Sequence, residues 1–166
     1  MEELYKKTLD RLKAELKKQL PEIEANGDWL WHHPEAGFKE TETQKYCLEV
    51  LKNHGFEACT WPDVTGFTCT YDTGRPGPCV MIMGEMDSLI CYSHPDCNPE
   101  TGAAHACGHS IQVATAMGAF ITLTESGVLE NFGGKVMLAG VPAEECLEIE
   151  WRTREIQKGR LHYLCG

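Results

Sequence analysis

Acidic, thiol and imidazole side chains occur in three clusters, each beside a predicted strand or helix. Gly84–Asp87 follows one apolar strand, His105–His109 precedes a helix, and Pro142–Glu145 follows a second apolar strand. In open α/β sheets, functional sites gather beyond the carboxyl ends of the strands. We therefore expect these three clusters to converge on one point.

The residue types in these clusters favour metal chemistry. Cys107 and His109 offer a thiolate and an imidazole, which are good ligands for zinc and similar metals. Gly108 between them lets the backbone bend so that both can face one ion. Adjacent glutamates point different ways in an extended chain, so one of Glu144 and Glu145 can bind metal while the other deprotonates a water. Asp87 is a candidate bridging or orienting carboxylate.

Each feature also has an ordinary structural explanation. A lone cysteine is often only part of the core, and adjacent glutamates usually form a solvated surface. Asp87 can cap the next turn, and His32-His33-Pro34 can be a loop with one exposed imidazole. The joint placement of the clusters beside predicted buried strands is what favours a metal site over these explanations.

Two helices are predicted to open the chain. The first has an apolar face with spacings of three and four, and Pro21 should kink or restart it. Thr41–Gln44 has the pattern of a capping box for the second helix, which should end at Gly55. The apolar face of the first helix consists of Leu9, Leu12, Leu16, Leu20 and Ile23.

Strands alternate with helices in the rest of the chain. Phe67–Tyr71 has the alternation of a half-buried strand, and Cys79–Met83 is an apolar run typical of a strand buried on both faces. After a polar loop from Ser88 to His105, a helix is predicted over Ile111–Thr124 and a second buried strand over Lys135–Ala139. This order predicts an α/β fold with at least one crossover.

Composition excludes several classes of function. The 166 residues carry a net charge of −10, which argues against nucleic acids and anionic membranes as partners. The N-terminus has no apolar segment typical of a signal peptide, and no stretch is long and apolar enough to span a membrane. Nine scattered cysteines, an odd number, do not form a secreted disulfide framework. We expect a cytoplasmic protein.

Four ordered stretches resemble the amidohydrolase branch of the M20 metallopeptidase family, which includes hydrolases of N-acyl amino acids and aminobenzoyl-glutamate. These stretches are Trp31–Glu40, Gly84–Leu89, His105–His109 and Pro142–Glu145. The resemblance implies a mixed sheet flanked by helices, as in zinc peptidases. It also implies metal-dependent hydrolysis of an amide bond in a small N-acyl amino acid or similar conjugate.

The resemblance also assigns roles to individual residues. Cys107, His109 and Glu145 match metal ligands of the family. Glu144 matches the general base, and Asp87 matches the acidic residue that orients the site. The family binds two divalent ions, zinc or manganese, and tends to form homodimers through a separate lid domain.

The chain departs from the family in length and at two positions. Relatives are more than twice as long, so residues 1–166 are expected to be the truncated N-terminal part of the catalytic domain, without the lid. Glu85 occupies a position where relatives outside this branch have a histidine ligand, and Ser110 replaces a common Asp or Asn. His162 matches no family ligand position.

Two other functional hypotheses remain open at this stage. The chain can be a non-catalytic remnant or a partner subunit with an incomplete metal site. Alternatively, Cys107 can act as a nucleophile with a histidine as its base. The neighbouring glutamates and Asp87 fit a metal better than they fit a thiol nucleophile.

Overall fold

The computed structural model describes residues 2–146, so His162 lies outside the described residues. The elements in chain order are α1 (Glu2–Trp31), α2 (Thr41–Asn53), β1 (Ala58–Thr60), β2 (Phe67–Asp72), β3 (Cys79–Glu85), β4 (Leu89–Ile90), β5 (Ala103–Ala104), α3 (His109–Glu125) and β6 (Lys135–Val141). One short 3₁₀ helix follows α3 at Val128–Asn131, and a second follows β6 at Glu144–Cys146. None of the helices in these residues has the length and hydrophobicity that crossing a bilayer requires.

Four strands form a mixed sheet in the order β1-β2-β6-β3. β2 is antiparallel to β1 and β6, whereas β3 runs parallel to β6 with Cys79 opposite Lys135 and Glu85 opposite Val141. The connection between these parallel strands contains α3 and is the predicted crossover. The α/β prediction is therefore confirmed, and the carboxyl ends of β3 and β6 lie side by side.

The main core lies between one face of the sheet and the helices. Phe67 and Leu138 of the sheet pack with Leu30 of α1, Leu51 of α2 and Phe120 of α3, and all five side chains are fully buried. The opposite face of the sheet carries a smaller cluster of Trp61, Ala139 and Val141, packed with Val64, Met81 and Met83.

The first helix differs from its prediction in two ways. α1 continues through Pro21 as one helix, so the predicted restart is wrong. Leu16 and Leu20 are 44% and 46% exposed, whereas Glu15, Gln19 and Asn26 are buried. Part of the buried face is polar because its side chains bond to partners within α1 and on neighbouring helices. Gln19 bonds Glu15 and Glu125, and Asn26 accepts a hydrogen bond from Tyr46.

The start of α2 is stabilised by a residue outside the predicted capping box. Glu35 accepts hydrogen bonds from the backbone N–H groups of Glu42 and Thr43 at 3.2 and 2.8 Å, which satisfies donors at the helix N-terminus. Gln44 instead accepts a bond from the N–H of Gly66. The capping box is therefore wrong, whereas the predicted end at Gly55, with φ of +79°, is confirmed.

Two further expectations need correction. β3 is not buried on both faces: among residues 2–146 it is an edge strand, and Val80 is 48% exposed. An apolar run does not reveal whether a strand has one neighbour or two. The stretch predicted as a polar loop contains the short strands β4 and β5, in which Leu89 pairs with Ala104 and Ile90 with Ala103.

Candidate metal centre

The three predicted clusters meet beyond the carboxyl ends of β3 and β6. Gly108 has φ of +91°, in the left-handed region that glycine adopts easily, and His109 begins α3 directly after it. α3 packs against β3 and β6 and thereby brings His109 to the chain that follows each strand. The fold thus assembles residues that lie up to 60 positions apart in sequence.

His109 is buried at the centre of this cluster. Its Nδ1 atom lies 3.0 Å from the backbone oxygen of Asp87 and 3.2 Å from Oδ1 of the same residue. On the other side of the ring, Nε2 lies 3.1 Å from Glu85 and 3.8 Å from carboxylate oxygens of both Glu144 and Glu145. One imidazole therefore faces four carboxylates.

Asp87 is fully buried and links two parts of the cluster. One carboxylate oxygen faces His109, and the other accepts a 2.8 Å hydrogen bond from the backbone N–H of Glu145. Burial by itself would raise the pKa of Asp87, but the bonds from His109 and from the backbone outweigh it and lower that pKa. The bond to Asp87 in turn raises the pKa of His109 to about 9, against the opposing effect of burial.

Cys107 joins the cluster through Glu145. Its exposed thiol lies beside the Glu145 carboxylate, and this contact, followed by burial, raises the pKa of Cys107 to about 11. Oε1 of Glu145 is buried and has no hydrogen-bond partner among residues 2–146. A buried acceptor without a partner, beside a thiol and an imidazole, suits a cation.

All five residues singled out from the sequence, namely Asp87, Cys107, His109, Glu144 and Glu145, are thus brought together. His32 and His33 are not part of the cluster. Their Nδ1 atoms bond the backbone oxygens of Asp28 and Trp29 at 2.8 and 2.6 Å, so they satisfy carbonyls at the end of α1.

Two neighbouring polar side chains lack partners in the described part of the chain. Both ring nitrogens of His105 are buried without a hydrogen bond, and burial, followed by the charge of His109, lowers its pKa to about 4. The hydroxyl of Ser110 is also buried without a partner. This fits the expectation that Ser110 does not supply the hydrogen bond of the usual Asp or Asn.

Two glutamates outside the set of site residues predicted from the sequence support the cluster around His109. Glu40 is fully buried and accepts a 2.8 Å bond from the N–H of Ala143, a residue with φ of +60° that precedes Glu144. Glu85, whose sequence position marks only a departure from the family, lies close to His109 and Glu144. One ligand atom of each of these three residues is within 4.8 Å of the others. The position of Glu85 two residues before Asp87 is the feature of the sequence that could have indicated a role in the metal centre.

No family profile matches the chain, but individual proteins are similar to it. The chain is 29% identical to N-acetyl-L-cysteine deacetylase of Bacillus subtilis over 88% of its length and 34% of that enzyme. It is 31% identical to N-acetyldiaminopimelate deacetylase of Brevibacillus brevis, covering 75% of the chain and 33% of the relative. The chain thus spans about a third of the curated relatives it matches.

A solved structure is also similar to this chain in fold. A Bacillus subtilis protein described as a dinuclear metal-binding peptidase from the M20 family superposes with a TM-score of 0.65 and 27% identity, over 80% of this chain and 36% of that protein. The shared fold, the matching motifs and the sequence relatives lead to one conclusion. In sequence and in fold, the chain matches members of the M20 metallopeptidase family.

Proposed function

We propose that the protein to which this chain belongs hydrolyses an amide bond in a small N-acyl amino acid or a similar conjugate. The observation that carries this proposal is the arrangement around His109. Its Nδ1 faces Asp87, while its Nε2 faces the carboxylates that follow β3 and β6. An imidazole fixed by a carboxylate on one nitrogen is the usual arrangement of a metal-binding histidine.

The side chains present fit divalent metal ions. Cys107, His109 and Glu145 would hold the metal, because a thiolate, an imidazole and a carboxylate are all ligands of zinc. We propose two ions of zinc or manganese. When bound, the ions would polarise the amide carbonyl and make a nearby water more acidic.

Glu144 is proposed as the general base. Its side chain is 39% exposed and one oxygen lies 3.8 Å from Nε2 of His109, so it reaches both solvent and the cluster. Glu144 takes a proton from the attacking water as the water oxygen bonds to the carbonyl carbon. It then passes that proton to the leaving nitrogen as the carbon–nitrogen bond breaks.

Asp87 is proposed as a positioning residue. Its two carboxylate oxygens engage the His109 ring and the backbone N–H of Glu145. It therefore keeps Nε2 of His109 and the carboxylate of Glu145 directed at the same space. Such outer partners fix the tautomer and orientation of metal-binding histidines.

The substrate proposal follows from the relatives, whose names specify N-acetyl-L-cysteine and N-acetyldiaminopimelate. We further propose a cytoplasmic location, because the eight described cysteines are all free thiols. A homodimer formed through a lid domain is proposed from the family alone. Residues 1–166 are proposed as the N-terminal part of the catalytic domain.

Metal content and hydrolysis, measured together, test the proposal. The protein is loaded with zinc or manganese, dialysed, and assayed on a panel of N-acetyl amino acids. Glu144→Gln should abolish turnover and retain the metal, whereas Glu130→Gln, at an exposed site, should change neither. Turnover retained in Glu144→Gln would remove this residue from its role.

The same experiment separates the enzyme from the alternative of a non-catalytic remnant or partner subunit. About two ions per chain with hydrolysis supports the enzyme. A metal content near zero, without hydrolysis, supports a chain with an incomplete metal site.

A further inference from the structure

We propose that Glu85 is an additional metal ligand and binds the same ion as His109. This inference rests on the proposed function and extends its metal site by one carboxylate. Glu85 is the last residue of β3 and pairs in register with Val141 of β6. Its side chain is only 17% exposed and lies at the edge of the sheet where the other ligands gather.

Glu85 lies closer to His109 than Glu144 or Glu145 does. Oε2 of Glu85 lies 3.1 Å from Nε2, compared with 3.8 Å for Glu144 and for Glu145. Nδ1 of the same ring is engaged by Asp87, so Nε2 is the nitrogen available to a metal. Of the three carboxylates that face Nε2, that of Glu85 is therefore the nearest to the nitrogen that is available to a metal.

Glu85 is also held in this position by a second element. The side chain of Gln112 donates a 3.1 Å hydrogen bond to Oε2 of Glu85 and accepts a 2.7 Å bond from its backbone N–H. Gln112 lies one turn after His109 on α3, on the same side of the helix. The helix that presents the imidazole thus also orients the carboxylate.

The charges in the cluster call for a cation. Four carboxylates, those of Glu85, Asp87, Glu144 and Glu145, surround an imidazole that carries at most one positive charge. Carboxylates at such separations repel one another unless a proton or a cation lies between them. Oε1 of Glu145, which has no hydrogen bond among residues 2–146, is an independent sign of such a ligand. Glu144 remains beside the ion and is free to act on water.

Titration with Co²⁺, followed by visible absorption and calorimetry, tests Glu85 directly. Glu85→Gln keeps the size of the side chain and a hydrogen-bonding partner for Gln112. It should weaken Co²⁺ binding at least about 10-fold and change the absorption spectrum. Glu100→Gln, in an exposed loop, is the matched control and should bind as the wild type does.

The outcomes distinguish this inference from the proposed function. If His109→Asn abolishes binding but folded Glu85→Gln keeps the wild-type affinity and spectrum, Glu85 is only an ion-pair partner and the inference fails. If His109→Asn leaves binding unchanged, the proposed metal centre itself fails. Glu85→Asp provides a second variant: it retains a charged oxygen and should bind Co²⁺ more tightly than Glu85→Gln. Equal affinity of these two variants would also overturn the inference.

Discussion

Asp87 and His109 form the contact that joins the two halves of the candidate metal centre. The carboxylate of Asp87 is completely buried, and its Oδ1 atom lies 3.2 Å from Nδ1 of His109. Its Oδ2 atom accepts a hydrogen bond from the N–H of Glu145. A single side chain therefore sets the position of a residue on α3 and of the turn that follows β6.

Replacing Asp87 with Asn should weaken metal binding. The amide keeps the size of the side chain but loses the charge and one of the two acceptor oxygens that now serve His109 and Glu145. We expect a loss of about 10–100-fold in zinc affinity, measured by calorimetry. Asp96→Asn, in an exposed loop, is the control. Equal affinity of the two variants would show that Asp87 does not position the ligands.

Gly84 should not tolerate alanine, because β3 and α3 touch at this position. A Cβ atom here would lie 2.9 Å from Cα of Val113 and 3.2 Å from Cβ of Ala116. We expect Gly84→Ala to lower the free energy of unfolding by about 1–3 kcal/mol. Because Glu85 is the next residue, Co²⁺ affinity should fall as well.

Gly27→Ala is the matched control for Gly84→Ala. Gly27 lies within α1, and a Cβ atom there would meet its nearest neighbours at 3.8 and 3.9 Å, an ordinary contact. Alanine should therefore stabilise the helix by about 0.5–1 kcal/mol. Urea denaturation of both variants measures the difference. A Gly84→Ala protein as stable as Gly27→Ala would contradict the close packing of β3 on α3.

Glu40 should stabilise the turn that presents Glu144. Its buried carboxylate accepts bonds from the hydroxyl of Thr65 and the N–H of Ala143, and burial, which outweighs these bonds, raises its pKa. Glu40→Ala leaves both donors without a partner and should cost about 1–3 kcal/mol. Glu40→Gln should cost less, since its amide oxygen can still accept one of the bonds.

The exposed Glu42, close to Glu40 in sequence, supplies the control for that measurement. Glu42→Ala removes a carboxylate on the surface of α2 and should change the free energy of unfolding by less than Glu40→Ala does. If the two alanine variants unfold at the same urea concentration, Glu40 does not support the turn.

His54 should make stability depend on pH. Its ring nitrogens lie 2.6 Å from Glu125 and 3.0 Å from Glu22, on two different helices. Burial lowers the pKa of His54, but the bonds to these glutamates outweigh it and raise the pKa above its usual value. The stabilisation of the fold by protonated His54 is therefore complete below about pH 6.5. It is lost as the pH rises through the raised pKa of His54.

The comparison of wild type with His54→Gln tests this dependence. The melting temperature of the variant should be lower than that of the wild type at pH 6, and the difference should shrink by pH 9. His32→Gln, whose side chain is 63% exposed, should show little difference at either pH. If the difference in melting temperature between wild type and His54→Gln grew with pH, the prediction would be contradicted.

The strands and the convergence of the clusters could be predicted because they depend on local patterns and on general rules of topology. After Lys135, β6 is apolar in sequence and buried in the structure, and its parallel pairing with β3 requires the crossover through α3. Once both strands were assigned, the residues following them had to lie at the same edge of the sheet. Asp87 and Glu145 meet for this reason.

The errors came from features that depend on distant partners. Leu20 fits an apolar helical face, but part of the buried face of α1 is polar because Gln19 and Asn26 bond side chains on α3 and α2. The cap of α2 comes from Glu35, six residues before the helix begins at Thr41. The sequence pattern gives Glu85 no role, because its partner Gln112 lies on another element. Sequence periodicity cannot reveal such pairings.

X-ray absorption at the zinc edge tests the central claim most directly, namely that Cys107 and His109 bind the same centre. The zinc-loaded protein should show one sulfur at about 2.3 Å together with nitrogen and oxygen ligands at about 2.0–2.2 Å. Cys107→Ser should remove the sulfur signal, and His109→Asn should remove the imidazole signal. A zinc spectrum without sulfur, or one that Cys107→Ser leaves unchanged, would contradict the account.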